Sequence, residues 1–453
     1  MSTQVAIVAA ISCLLAGPAL AQAPPATAVP QAPTSAAAAE MPTDAQSAVT
    51  TTADGQQSPA ATEQAQPPAQ AKEQKTGNGW NVWEAGPFTT MMVLTLGADI
   101  GGFIQDDESL KQVGHQPTIV KWRAERINVG GTIHFKTPWV WQVGGNYNGL
   151  EAEQSNRWTW MDVRLDIPVP KLGRIRIGRQ KVGVQHEWAM PLVDWIFMER
   201  ASSSAFLPQR NVGVIVTNSH LRDRVLWSAG WFNDWFAQNN SFSANGNQYS
   251  ARLSVLPVDA GPTGDTVVQV GGGVFYREPT NGQMQFRSRP EINQADYFID
   301  TGKFAANHSV MSEFEANVIK GRAQAFTEWA MNSVSAPAAH DPLFFGGFVG
   351  FSYFLTNEHR NFNRREGYVS RLTPRSPVGR GGIGAWEVGV RYSYTDLTSG
   401  TIDGGLMSRY TAAVNWFATH EWQMRFNYGY ITLDRAGTRG HSHGFSARIV
   451  WNM

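Results

Sequence analysis

Arg391, Arg409, Arg425 and Arg448 stand one to each of four successive segments in which apolar and polar residues alternate. In "AWEVGVRYSYTDL", residues 385–397, Trp386, Val388, Val390, Tyr392 and Tyr394 oppose Glu387, Gly389, Arg391, Ser393 and Thr395. A guanidinium offers a planar fork of donors that can replace part of an anion's water shell, and rings of arginine or lysine line anion-conducting pores. Arg164, Arg174 and Arg176 fall on the same polar phase of their own segments, whereas Arg123 and Arg126 lie on opposite phases unless a bulge intervenes. These nine are the candidate anion path. Glu199, Arg200 and Arg210, in and beside an apolar connection, are candidates for a constriction. Acids share the polar phase: Glu387 stands four residues from Arg391, and Glu313 and Glu315 alternate likewise.

Enzymatic chemistry finds little support. "HEWAM" at 186–190 and "HEWQM" at 420–424 begin like H-E-x-x-H zinc motifs, but Met190 and Met424 replace the second histidine and neither segment has helical periodicity. His441 and His443 share one face of a strand but lack a third ligand. Ser202, Ser203 and Ser204 have no nucleophile-elbow setting. No enzyme activity, metal or cofactor is expected.

The elements that would carry the arginines are strands. A period of two sends alternate side chains to opposite faces. If the aromatic face packs a core, the sheet is that of a soluble protein; if it meets lipid, Arg391 points into a pore. Trp422, Met424, Phe426, Tyr428 and Tyr430 oppose Gln423, Arg425, Asn427 and Gly429, and the final "GFSARIVWNM" repeats the pattern. Large aromatics near strand ends fit the interfacial girdles of a membrane barrel. Such segments occur at 89–99, 118–136, 139–148, 158–168, 172–183, 210–218, 224–233, 247–256, 266–277, 312–320, 323–332, 344–355, 385–396, 408–418, 421–433 and 443–453, sixteen in all. The expected fold is all-β, a transmembrane antiparallel β-barrel of about 16 strands, wide enough to hold water. Counted from a periplasmic amino terminus, 184–209 and 278–311 are external loops. "QHEWAMPLVDWIFMERASSSAFLPQ" is too apolar to lie wholly in solvent and should fold into the barrel. The connection 356–384 falls on the periplasmic side, where short turns are usual.

Composition supports the outer-membrane reading. Of 453 residues 16% are charged, against about 25% in ordinary soluble domains. The first 79 residues contain no Phe, Trp or Tyr, and the rest carries 35 bases against 32 acids, which implies no nucleic-acid partner. Residues 1–21 read as a signal peptide: an apolar stretch from Val5 to Leu15, then Ala19-Leu20-Ala21, although no Lys or Arg precedes it. Cys13 is the only cysteine and falls within that segment. Residues 22–79, rich in Pro, Ala and Gln, read as a disordered tether, and residues 80–453 as the barrel domain. No run of 18 apolar residues follows the signal, so spanning requires strands.

The stretches "WRAERINVGG", "RIGRQKVGVQHEW", "FMERASSSAFLPQRNVGV", "RSRPEINQADYFIDTGKF", "FSYFLTNEHRNFNRR", "GAWEVGVRYSYTDL" and "YTAAVNWFATHEWQMRFNY" together resemble the phosphate-selective porin O and P family of Gram-negative outer membranes. The resemblance implies a homotrimer of sixteen-stranded barrels in outer-membrane lipid, inward-folded loops, and arginines lining a narrow path for small anionic solutes such as phosphate. It also implies that a long connection at 356–384 is a family trait. Two positions depart from the most phosphate-specific members. Arg123 and Arg126 are three apart where those have adjacent arginines, and Lys181 is followed by no acid before Glu187. The function expected is an outer-membrane passive diffusion channel with anion preference. The alternatives are a non-selective general porin and a mainly structural or adhesive barrel.

Overall fold

The computed structural model describes residues 81–147, 158–208, 210–233, 246–260, 265–370 and 372–453. The signal peptide and the tether expected at 22–79 lie outside the described residues. Sixteen strands form the wall: β1 Phe88–Gln105, β2 Ile119–Ile133, β3 Trp139–Tyr147, β4 Trp158–Val169, β5 Gly173–Gln180, β6 Asn211–His220, β7 Val225–Asn233 and β8 Asn247–Ala260. There follow β9 Thr266–Arg277, β10 His308–Lys320, β11 Ala323–Ser335, β12 Leu343–Phe354, β13 Ala385–Ser399, β14 Ile402–Phe417, β15 Trp422–Arg435 and β16 Thr438–Asn452. Each pairs antiparallel with its sequence neighbours, and β1 closes the sheet on β16 from Thr95 opposite Asn452 to Gln105 opposite Ser442. Closure leaves no free edge, as a bilayer demands. A four-residue strand, Val82–Ala85, folds back on the start of β1.

The alternation sorts as the outer-membrane reading requires. In β13, Glu387, Arg391, Ser393 and Thr395 point inward and are buried, whereas Val390 on the other phase is 55% exposed. Tyr410 and Phe426 of the neighbouring strands are likewise more than half exposed. Outward aromatics pair across strands: Trp386 stacks on Trp416 with ring centroids 5.5 Å apart, and Tyr392 meets Tyr410 at 4.9 Å. A face so apolar needs lipid for solvent.

Every segment expected to be a strand contains one. The ends differ most at β1, which runs on to Gln105 rather than 99, and at β14, which begins at Ile402 rather than 408 because Ile402 and Asp403 still pair with Ser399 and Thr398 across an irregularity at Gly404 and Gly405.

Connections after odd-numbered strands gather at one rim, those after even-numbered strands at the other. The second rim is closed mostly by short turns, such as Lys320 to Ala323, but also carries residues 355–384. This segment and residues 181–210 of the first rim both turn into the lumen, where they meet. Arg360 donates to the Asp194 carbonyl at 2.9 Å, the Val369 amide donates to His186 Nε2 at 3.1 Å, and the His186 ring stacks on Phe362. The interior is therefore filled by chain from both ends.

Candidate constriction site

The inward loop 181–210 has little regular structure: one helical turn, His186–Ala189, and two 3-10 turns, Leu192–Asp194 and Ser202–Phe206. Such a segment leaves carbonyls without internal partners, and buried carbonyls need donors. The arginines supply them. Arg425 donates to the Leu192 and Val193 carbonyls at 2.9 and 2.8 Å, Arg448 to Met198 at 2.5 Å, and Arg391 to Glu199 at 3.0 Å. Asn415 holds the Ile196 carbonyl at 2.8 Å, and Arg200 turns back on the Glu187 and Trp188 carbonyls at 3.0 and 3.1 Å.

Carboxylates complete the seam. Glu199 is gripped by Arg123, at 2.7 and 2.8 Å, and by Arg448 at 2.5 Å, while Arg448 also forks onto Asp99 at 2.7 and 2.6 Å. Arg391 joins Glu187 at 2.8 Å and Glu291 at 2.6 Å. Arg409 donates to the Pro290 carbonyl and lies 3.6 Å from Glu291. Glu387 binds Arg360 at 2.5 Å, not Arg391. Burial opposes ionisation at Glu199, but the Arg123 and Arg448 guanidiniums outweigh it and hold the carboxyl at about 2. At Glu187 burial prevails over Arg391, and the carboxyl rises to about 7.

Arg123 and Arg126 are both buried in the barrel wall. The register shifts between Gly97–Ala124 and Ala98–Trp122, which leaves Arg123 as the extra residue of a bulge. Farther along the lumen, Arg176 forks onto Asp166 at 2.8 Å, and Arg174 reaches Glu366 of the second inward segment at 2.6 Å. Arg210 lies 3.2 Å from Asp162. Arg164 stands apart: it is partly buried, donates through Nε to Gln142 at 3.1 Å, and among the described residues its two terminal nitrogens have no protein acceptor.

The inner face of β10 and β11 carries the opposite charge. Glu315 stands directly across from Glu328, with Glu313 two residues along, all three inward and buried. Arg252 serves Glu315 at 2.7 Å. Facing this wall across a small cavity is the near side of the loop, with His186, Glu187, Trp195 and Phe197; Gln324, Phe326, Glu328 and Phe348 line the barrel side. Burial pulls His186 down to about 4, so it is neutral here. His441 and His443, expected on one face, each bond an outward tyrosine, Tyr430 and Tyr428, at 2.8 Å.

Sequence reasoning named the arginines and, of the acids they meet, Glu199 as a constriction candidate. Asp99, Glu187, Glu291, Glu328 and Arg360 were missed as constriction residues. Asp99 shows the inward phase of its strand, but Arg360 lies in a segment without periodicity.

A family profile described as phosphate-selective porin O and P matches residues 95–450. The chain belongs to this family. An uncharacterized protein of Caulobacter vibrioides is 29% identical over 251 residues, 53% of this chain and 50% of that protein; the match spans about half the relative's length. Among solved structures, the outer membrane channel DcaP of Acinetobacter baumannii is 8% identical with a TM-score of 0.51, over 81% of this chain and 97% of that one. OmpF of Salmonella typhi is 10% identical with a TM-score of 0.51, over 81% and 98%. At these identities the likeness is one of fold. Family and fold together make the chain an outer-membrane β-barrel of the porin class.

Proposed function

We propose that this porin is a passive diffusion channel with weak charge selectivity, its narrowest zone lying between the loop 181–210 and the β10–β11 wall. The observation that carries this reading is the engagement of the inward arginines. Arg123, Arg391, Arg409, Arg425 and Arg448 direct their donors at loop carbonyls and carboxylates, and Arg174 and Arg176 at Asp166 and Glu366. A guanidinium so engaged has few donors left for a passing anion. The anion preference expected from the inward arginines and the family resemblance then rests on Arg164, whose terminal nitrogens have no protein acceptor among the described residues. Phosphate selectivity gains nothing further from the site. The family likeness supports a homotrimer with outer-membrane lipid as its partner.

Reversal potential of the purified protein in a planar bilayer under a KCl gradient tests this. The expected value is close to zero. A strong anion preference with phosphate block of the chloride current would restore the phosphate reading, and absence of any conductance would favour a structural or adhesive barrel.

A further inference from the structure

The short-turn rim carries exposed charge of one sign. At the turns after β2, β4, β6 and β10 the exposed charged residues are Lys136, Lys171, Arg222, Arg224, Lys320 and Arg322. The acid among them, Asp223, is half-buried and accepts from the Ser219 hydroxyl. Short turns of this kind face the periplasmic leaflet.

At the β10–β11 turn the bases stand on the lipid side of the wall. Phe314 and Val318 of β10 are 52% and 41% exposed, and Lys320 continues their outward phase while Ile319 is buried inward. Lys320 lies across from Ala323, and Ala323 across from Tyr353, which shares the outward phase of the exposed Val349 and Phe351 on β12. Neighbouring strands are about 4.8 Å apart, so the small Ala323 leaves a notch between a base and a phenol whose backbones are about 10 Å apart. Arg322 leans over the same ring, its guanidinium carbon 5.1 Å from the Tyr353 centroid, and spends one donor on the Leu355 carbonyl at 3.3 Å. Among the described residues neither base has a carboxylate within ion-pair distance; Asp265, at the edge of the turn, accepts the Gly321 amide through its carbonyl at 2.7 Å. Uncompensated bases at strand ends, beside a tyrosine and the exposed Leu355, suit a lipid phosphate at the boundary between headgroups and chains. A zwitterionic headgroup would also bring an ammonium, for which this turn offers no exposed acid. An anionic headgroup makes no such demand.

We propose that Lys320 and Arg322, with Ala323, Tyr353 and Leu355, form a binding site for the phosphate of an anionic phospholipid in the periplasmic leaflet. The phosphate accepts from the Lys320 ammonium and the remaining Arg322 donors. The acyl chains descend past Val318, Ala325 and Phe351, the next outward row of the same three strands. The site lies on the outside of the barrel and is independent of the solute that crosses the lumen.

Native mass spectrometry of the full-length protein in detergent, titrated with dioleoylphosphatidylglycerol or dioleoylphosphatidylcholine, reads the site. The wild type should bind the anionic lipid more tightly by about fivefold or more. Lys320→Gln and Arg322→Gln should each weaken phosphatidylglycerol binding by about fivefold and leave phosphatidylcholine unchanged; both residues are exposed, so the barrel keeps its fold. A Lys171→Gln/Arg222→Gln double variant removes the same charge from turns whose bases stack on no ring among the described residues, and should lose less than Lys320→Gln/Arg322→Gln. Equal affinity of the wild type for the two lipids, or equal losses in the two double variants, overturns the site. Displacement of the lipid by inorganic phosphate at the lipid's own concentration also overturns it, in favour of a free anion.

Discussion

The two inner walls of this barrel are built on the same strand geometry and reach opposite electrostatic states. On the side of β13 to β16 and β1 to β2, arginines meet a loop whose carbonyls and acids are short of donors. Nearly every guanidinium there has a partner from residues 187–199 or 291. On the side of β10 and β11, three carboxylates share one sheet face, and the loop opposite offers them backbone amides, from His186 to Glu315 and from Glu187 to Glu328, at 2.8 and 2.6 Å. Charge on the first wall serves as an anchor. On the second, Arg252 pairs with Glu315 alone, and among the described residues Glu313 and Glu328 have no arginine or lysine within ion-pair distance. An inward charged residue in a wide barrel is thus not automatically a selectivity element; what faces it decides.

The largest effect should come from cutting the anchor. Arg448→Ala leaves Asp99 and Glu199 buried with reduced compensation, a loss on the order of 3–5 kcal/mol for a buried pair. Its first consequence should be release of the loop. Expected are a rise in single-channel conductance and a red shift of Trp195 emission in a barrel that still migrates as folded. Unchanged conductance would mean that the arginine wall does not hold the loop.

The second test sets the two loop carboxyls against each other by pH. The folded carboxyl of Glu187 is raised from 4.5 to about 7, so between these values the folded state binds more protons than the unfolded, and this group's contribution to stability falls as pH rises through that window. Glu199 is depressed to about 2, so its contribution is present above about 4.5 and lost only as pH falls toward 2. Loop protection, read by hydrogen exchange at the Ala201 amide that Glu187 accepts, should decline from pH 5 to pH 8. Glu187→Gln should flatten that decline, and Glu199→Gln should lower protection throughout while leaving the slope. A Glu187→Gln profile with the original slope would assign the titration elsewhere.

These walls were unequally legible in the sequence. Alternation along residues 385–453 showed the strands, their lipid face and the inward phase of Arg391, Arg409, Arg425 and Arg448, because a period of two is a property of each strand alone. The partner of Glu387 was not legible. Its nearest basic residue on the strand is Arg391, but the structure gives it Arg360 from the second inward segment, whose path no periodicity announces. Nor could spacing place Arg123: the bulge that turns it inward arises from pairing with Gly97 and Ala98 of another strand. Contacts such as Arg425 to Leu192 join residues more than two hundred positions apart through a backbone carbonyl, an acceptor that every residue possesses and that residue type cannot reveal.

Substitutions that leave the arginine anchor in place sharpen the comparison with smaller effects. Glu328→Gln removes one of two like charges set opposite each other, a relief on the order of 0.2–1 kcal/mol, and should raise the temperature at which the barrel loses its folded gel migration. A lowered temperature would show that Glu328 has a compensating partner and that the walls are more alike than their contacts indicate.

The smallest effect isolates Arg164. It lies inward like the anchoring arginines, but beyond the hydrogen bond from its Nε to Gln142 its terminal nitrogens have no protein acceptor among the described residues, so its field acts on solutes and is partly screened by salt. Arg164→Ala should leave thermal stability and single-channel conductance at high salt nearly unchanged. Under a KCl gradient at low salt it should move the reversal potential by a few millivolts toward cation preference, roughly as expected for one screened charge. The same measurement on Arg425→Ala should show a conductance change in place of a clean shift, since that guanidinium holds the Leu192 and Val193 carbonyls. Equal reversal-potential shifts in the two variants would erase the distinction between an arginine that anchors and an arginine that selects.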